Sequence, residues 1–411
     1  MSRSEPSPGQ ASGGSAGAGG VLTIDLGAIA ANWKLLSGRL APGAVCGAVV
    51  KADAYGLGLA PVARALFAAG CRTFFVALPG EGVALRRILP DAEICVFNGV
   101  DAGSAADLAA AGLTPVLNHL GQVEDWRQAA GRVGRALPAW LHVDTGMTRL
   151  GFDESEVAVL ADDPGRLSAI ALRGVMSHLA CADQPDHPLN GEQRGSFDAA
   201  LARLGTPLAR PETGLARLGT GLARAEPGLA RAETSPGVRR SLANSSAIFL
   251  GADFHYDLAR PGAALYGVAP LADAPNPMAQ VVALKGKILQ TRRIDTPRSV
   301  GYGATHRAER GRIIATVAVG YADGYLRSLS GTARAHVGQN SVRVIGRVSM
   351  DLLTIDVTDV PENAARPGAF VDLIGPHHTV DELAREAGTI GYEILTSLGQ
   401  RFTRHYVGEG A

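Results

Sequence analysis

Lys51 closes the apolar run Ala44 to Val50 and opens the glycine-punctuated turn Ala52-Asp53-Ala54-Tyr55-Gly56. The run reads as a strand buried on both faces, and Leu59 to Ala69 reads as the amphipathic helix that follows it. A lysine at the carboxyl end of a buried parallel strand stands where α/β folds place their ligands. Partial desolvation there lowers the pKa of the amine and makes it a usable nucleophile. Further reactive residue types come in short clusters along the chain. His142-Val143-Asp144-Thr145-Gly146-Met147-Thr148-Arg149 carries a planar, permanently charged guanidinium suited to carboxylates and phosphates. Gly174-Val175-Met176-Ser177-His178 ends an apolar run in an imidazole. Asn244-Ser245 and Arg260-Pro261-Gly262-Ala263 offer a hydroxyl and a tight turn of the kind that binds phosphate through backbone N–H groups. Tyr302 and Tyr321 are flanked by glycines, Met350-Asp351 ends a β-like run, and Tyr392 opens a terminal helical pattern. Taken singly, each cluster also fits an ordinary turn or strand end.

The elements around these clusters alternate. Strand candidates are Ala44–Val50, Thr73–Leu78, Glu93–Phe97, Thr114–Leu117, Ala139–Val143, Ala169–Met176, Ser241–Ala243 and Tyr256–Ala259, mostly with a helical pattern between them. Repeated βα units imply a parallel sheet with both faces covered. A closed (β/α)8 barrel and an open doubly wound sheet both fit that periodicity. Lys51, Asn98, Asp144, His178, Asn244 and Arg260 each follow a different strand. This favours a TIM-like barrel, whose loops share one mouth. Beyond about Pro270 short strands succeed one another, closed by helices near Val380–Ala387 and Tyr392–Leu398, which reads as a mainly antiparallel β domain. The expected layout is a disordered tail over 1–20, a barrel over 21–274 that begins with the alternating strand Val21–Leu26, and a β domain over 275–411. Residues 201–235 hold five copies of a seven-residue unit. Glycine or proline in nearly every copy argues against a coiled coil and for a low-complexity loop insertion.

The chain has 411 residues, with 39 basic and 39 acidic side chains and a formal net charge of zero. That balance invites neither nucleic acid nor an anionic membrane. Cys46, Cys71, Cys95 and Cys181 are scattered, which suggests reduced thiols. The start lacks the apolar core of a signal peptide, and no apolar run reaches the ~20 residues that span a bilayer. A cytoplasmic protein is expected.

Together the clusters resemble the alanine racemase family, whose motifs they match in order from Lys51 to Tyr392. The resemblance implies a pyridoxal 5'-phosphate cofactor joined to Lys51 as a Schiff base, and no metal. It assigns Tyr55, Asn244, Ser245, Gly262, Ala263 and Tyr392 to the phosphate region, with Arg260 at the pyridine nitrogen and His178 beside it. Arg149 is implied at the cofactor's phenolic oxygen and the substrate carboxylate, with Tyr321, Met350 and Asp351 lining the substrate pocket. Lys51 and Tyr302 are implied as the two catalytic bases, the tyrosine coming from the partner subunit of a homodimer. Arg260 and His178 are the expected sources of positive charge that lower the phenol's pKa. The implied activity is interconversion of L- and D-alanine, which supplies D-alanine for peptidoglycan. Two positions depart from the family pattern. His142 replaces a lysine that many members carbamylate, so substrate affinity is expected to fall as His142 protonates. Ser241 replaces a frequent histidine beneath Arg260. Rival readings are a broad-specificity amino-acid racemase, a pyridoxal phosphate decarboxylase or lyase on the same barrel, and a non-enzymatic cofactor-binding barrel.

Overall fold

The structure, a computed structural model, describes residues 19–101, 103–205 and 237–408. The expected tail, apart from its last two residues, and most of the heptad segment lie outside the described residues; Leu201 to Arg203 end the helix Leu189–Arg203. The described chain divides into two compact units, a barrel unit from Leu26 to Val281 and a β unit built from the stretch before Leu26 and Val282–Val407.

In the barrel unit, Ala48–Val49, Thr73–Val76, Glu93–Val96, Thr114–Leu117, Leu137–His142, Ile170–Met176 and Arg239–Ser241 pair in sequence order, all parallel. Leu258–Ala259 pairs parallel with Val45–Cys46, the start of the first strand. Backbone bonds from Asp257 N to Arg240 O (3.0 Å) and Arg260 N to Ala243 O (2.8 Å) join this last strand to the seventh. The sheet therefore closes on itself as an eight-stranded barrel. Its strands are covered on both sides, so Thr73–Val76 and Thr114–Leu117 are buried at every position. Helices follow the first six strands, but only the 3-10 turns Ala247–Phe249 and Ala252–Phe254 separate the seventh from the eighth. The helix Leu26–Gly38 buries Leu26, Ile29, Trp33 and Leu36, as their spacing predicts. Cys46, Cys71 and Cys95 are buried free thiols, and Cys181 is a free thiol at partial exposure.

The β unit holds an eight-stranded sheet. Its order is Ile313–Val317, Leu353–Asp356, Asn340–Ile345, Arg334–Val337, Phe370–Ile374, Val282–Arg293, Gly20–Asp25 and Thr403–Val407. Val282–Arg293 bends at a bulge between Ile288 and Gln290 and pairs back onto Ile313–Val317, which closes six of these strands into a ring. One expectation is corrected here. The strand near Val21 is not part of the barrel: Gly20–Asp25 pairs antiparallel with Val282–Arg293 and parallel with Thr403–Val407. Its burial alternates strictly, the signature of a strand with one covered face. The boundary also moves. Ala279 N bonds Asn32 Oδ1 at 2.8 Å and Asn276 Nδ2 bonds Gly267 O at 2.9 Å, so the proline-rich stretch from 274 to 277 belongs to the barrel unit.

Candidate active site

Lys51 follows the first barrel strand directly, and what comes next is a turn of left-handed helix. Ala52, Asp53, Ala54 and Tyr55 have φ of 53°, 54°, 54° and 55°. For L-residues this conformation costs roughly 1–2 kcal/mol each, and it persists only where surrounding contacts over-determine it. Those contacts are visible. Ala54 N bonds Val50 O at 3.0 Å, Gly56 N bonds Ala52 O at 2.7 Å, and Asp53 Oδ1 accepts from Leu59 N at 2.7 Å. Glu81 Oε1 accepts from Ala52 N at 2.6 Å. The turn swings Tyr55 inward against Tyr266, with ring centroids 4.7 Å apart. Burial, and next the charge of Arg149, hold the Lys51 amine below its ordinary pKa, with Glu81 opposing. An amine whose charged form is disfavoured therefore stands at the strand end.

Opposite this turn, Ser245 Oγ accepts from Gly262 N at 2.9 Å and Ala264 N at 3.3 Å. Both lone pairs are used, so the hydroxyl hydrogen remains for a ligand. Asn244 Oδ1 shapes the same corner by accepting from Ala247 N at 3.0 Å. A Cβ added at Gly262 would lie 2.3 Å from the Tyr55 hydroxyl, so only glycine lets the phenol reach this backbone. Tyr55, Ser245, Gly262 and Ala263 thus converge as a small polar cradle, tied to Lys51 through the left-handed turn that ends in Tyr55.

Arg260 lies at the end of the eighth strand, 3% exposed. Its Nη1 donates to Ser241 Oγ and its Nη2 donates to Ser177 O at 2.6 Å. No carboxylate pairs with it among the described residues, and burial brings its pKa down to about 10, so it still carries charge at neutral pH. Ser241 therefore bonds Arg260 directly, which bears on the second departure from the family pattern. Ser177 Oγ in turn shares a 2.7 Å hydrogen bond with Thr145 Oγ1. The carbonyl of Ser177 was not foreseen, because a backbone acceptor has no sequence signature.

His142 and His178 complete the polar ring. Asn118 Nδ2 donates to Phe97 O (3.0 Å) and Val116 O (2.8 Å), which turns its Oδ1 toward His142 Nδ1 at 2.8 Å. In the neutral ring that fixes the hydrogen on Nδ1 and leaves Nε2 an acceptor. Desolvation, then the charge of Arg260, lowers the His142 pKa to about 4. His178 is held well below its ordinary value by burial and then by Arg260 and Arg149. These shifts disfavour a charged His142 near neutrality and a charged His178, and so speak against the expected roles of a protonated His142 in substrate affinity and of His178 as a source of positive charge. Arg149 is exposed, and no hydrogen bond joins it to His142 among the described residues. Asp144 Oδ1 accepts from the N–H groups of Gly146, Met147 and Thr148 at 3.0, 3.0 and 3.1 Å, and so folds the loop that carries Arg149. Asn118 and Gln122, which bonds Asn98 O and Asn118 N, were missed by sequence reading because they act through His142 rather than on a ligand.

The β unit carries the remaining candidates. Tyr302 sits at the tip of the hairpin Arg298–Val300/His306–Ala308 between Gly301 and Gly303, both at positive φ, and is 73% exposed. The hairpin rests on the turn at Gly346–Arg347: a Cβ at Gly303 would meet the Arg347 guanidinium at 2.9 Å. A cavity of about 390 Å³ beside it is lined by Tyr302, Arg347, Ser349, Leu352 and Thr354 among others. Tyr321 N bonds Ser349 O at 3.0 Å and Ala322 N bonds Met350 O at 2.9 Å, which brings Tyr321 and Met350 together. Asp351 pairs with Arg401 at 2.8 Å, and the same arginine bonds Asp323 at 3.0 Å. Tyr392 lies in the helix Gly391–Ser397, 37% exposed.

Comparisons with known proteins agree with this geometry. Residues 24–219 and 219–270 match the family description "Alanine racemase, N-terminal domain", and residues 281–406 match "Alanine racemase, C-terminal domain". A protein of Rhodospirillum rubrum described as alanine racemase is 53% identical over 389 residues, covering 94% of this chain and 96% of that one. A Mesorhizobium japonicum protein described as "Alanine racemase, catabolic" is 46% identical over 398 residues, covering 96% and 94%. The crystal structure of alanine racemase from Bartonella henselae with covalently bound pyridoxal phosphate superposes with a TM-score of 0.84 at 37% identity, covering 95% of this chain and 100% of that one. The chain belongs to the alanine racemase family.

Proposed function

We propose that the protein interconverts L- and D-alanine with pyridoxal phosphate held at Lys51. The observation that carries this reading is a pKa-lowered amine at the end of the first barrel strand, whose following turn brings the Tyr55 phenol to the Ser245–Gly262 cradle. The residues present fit the cofactor. Ser245 has a hydroxyl hydrogen to spare for a phosphate, and Gly262 leaves room for the Tyr55 phenol beside it. Arg260 is a buried cation that donates a hydrogen bond and keeps its proton at neutral pH. Bound pyridoxal phosphate supplies an electron sink conjugated to the substrate nitrogen, which weakens the Cα–H bond.

The protein's own groups do the rest. Lys51 exchanges a proton with Cα on one face. Tyr302 of a second copy of the chain does so on the other face, because inversion needs two groups on opposite sides. Its exposure at a hairpin tip supports that role. Arg149 binds the substrate carboxylate; on the β unit, Tyr321 and Met350 lie together and Asp351 pairs with Arg401, a cluster suited to line a substrate pocket. Neutral His142 and His178 do not compete with Arg149 for the anion and do not repel it. A phenol contributed in trans makes the homodimer the active species. Large apolar side chains left exposed on the β unit, Met350 at 54% and Ile390 at 59%, support such an interface.

No helix among the described residues is long and apolar enough to cross a membrane. A cytoplasmic enzyme that supplies D-alanine for peptidoglycan is the cellular reading, and D-alanine auxotrophy on gene deletion tests it. The biochemical test is incubation of the cofactor-loaded protein with L-alanine in D₂O. D-alanine bearing deuterium at Cα, with no carbon dioxide released, is the expected outcome. Release of carbon dioxide selects the decarboxylase reading, and faster turnover of serine than alanine selects the broad-specificity one.

A further inference from the structure

We propose that Glu81 is a positioning residue for Lys51, whose carboxylate clamps the peptide that leaves the lysine to the end of the neighbouring barrel strand. Glu81 lies in the first turn of the helix Pro79–Ile88. A glutamate there ordinarily accepts from the backbone at the helix start and nothing more. Here Oε2 takes that role twice over, accepting from Ala77 N at 2.8 Å and Leu78 N at 3.0 Å. Oε1 is turned the other way and accepts from Ala52 N at 2.6 Å. That N–H belongs to the peptide plane between Lys51 and Ala52. Fixing the plane fixes ψ of Lys51 and hence the direction in which its side chain leaves the strand. It is also the first N–H of the left-handed turn, and the turn's own carbonyls serve the later donors Gly56, Leu57 and Gly58. Without the clamp, four L-residues at positive φ lose the contact that anchors their start.

The carboxylate also acts on the amine by charge. The charged and titratable groups that bear on Lys51 are Arg149, which favours the neutral amine, and Glu81, which favours the protonated one. His178 interacts with Lys51 as well, but is neutral. Removing Glu81 therefore leaves more neutral amine at a given pH while loosening its aim. The two effects have opposite consequences for reactivity, which makes them separable.

This inference rests on Lys51 being the amine that takes up pyridoxal phosphate, and its test does not need racemisation. Full-length protein stripped of cofactor is mixed with pyridoxal phosphate, and capture is followed by absorbance across pH. In capture the neutral amine adds to the aldehyde carbon, a carbon–nitrogen double bond forms, and one water leaves. The rate therefore rises with pH to a plateau as the amine loses its proton. For Glu81→Gln the midpoint is expected to move to lower pH and the plateau to fall about tenfold. Glu81→Asp keeps the charge on a shorter stem, so its midpoint stays while its plateau falls. Glu156→Gln is the control: Glu156 closes the equivalent box with Asp153 on the helix Glu154–Asp162 and does not touch Lys51. It is expected to keep both the midpoint and the plateau. A wild-type midpoint and plateau in both Glu81 variants overturn the proposal, and so does an equal loss in Glu156→Gln. Wild-type protein that captures the cofactor but fails to invert alanine overturns the functional reading and leaves this one standing.

Discussion

Replacing His142 with asparagine changes how the protein tolerates acid. The folded ring keeps a pKa of about 4 against an ordinary 6.5. A depressed native pKa means that the unfolded chain binds a proton that the folded chain refuses. Stability is therefore fully present above pH 6.5 and drains as pH falls toward 4. At pH 5 the unfolded imidazole has gained ~1.5 pH units of protonation at about 1.36 kcal/mol each, so His142 alone accounts for ~2 kcal/mol of lost stability. For a unit of this size that is roughly 4–8 °C in Tm. Asparagine does not titrate. Thermal melts of wild type and His142→Asn at pH 7 and pH 5 measure the difference, and the wild type is expected to lose about that much more. His178, also held below its ordinary value mainly by burial, is present in both proteins, so most of its contribution is common to them. Parallel losses would refute the neutral, Asn118-bonded imidazole. The same ring chemistry predicts superimposable acid limbs of kcat/KM above pH 5 in the two proteins.

Two further substitutions probe the cradle. Gly262→Ala sets a methyl 2.3 Å from the Tyr55 hydroxyl, and Tyr55 is held by its left-handed backbone and by Tyr266. Overpacking of this kind costs about 1–3 kcal/mol; equilibrium dialysis should show pyridoxal phosphate affinity reduced roughly 5- to 150-fold, and unchanged affinity would place the phosphate elsewhere. Ser241→Ala removes the acceptor for Arg260 Nη1 inside the barrel. A lost hydrogen bond to a buried charge is worth about 1.5–3 kcal/mol, so urea unfolding should begin earlier by that amount and the bound cofactor's absorbance should shift; neither change would mean that Ser241 is not a support.

Much of the fold was legible because buried parallel strands leave a plain mark. Runs such as Thr73–Val76 and Thr114–Leu117 are apolar at nearly every position, and Lys51, His178 and Arg260 each stand just past the end of another such strand. Gly20–Asp25 shows where this reasoning slipped. Its alternation was visible, but nearness in sequence to the barrel outweighed it, and its partners lie some 260 and 380 residues away. The hairpin that carries Tyr302 and the strand Thr403–Val407 were missed because they are short and polar on one side. At the site, the side chains that would touch a ligand were legible as types. Their supports were legible only in Ser241, which the family resemblance had placed beneath Arg260. Asn118 turns His142, Ser177 O holds Arg260 beside Ser241, and Glu81 pins the turn after Lys51, each across a gap that only folding closes. The pKa of His142 was likewise out of reach, since desolvation by the barrel and the charge of Arg260 set it.

The central claim is that an amine and a phenol serve opposite faces of one substrate. Tyr302→Phe loaded with pyridoxal phosphate and given D-alanine in D₂O tests it most directly, by Cα deuteration measured separately in recovered D-alanine and in any L-alanine formed. Deuterium entering D-alanine through Lys51 while L-alanine falls by orders of magnitude is the predicted result. L-alanine formed at the wild-type rate would contradict the claim.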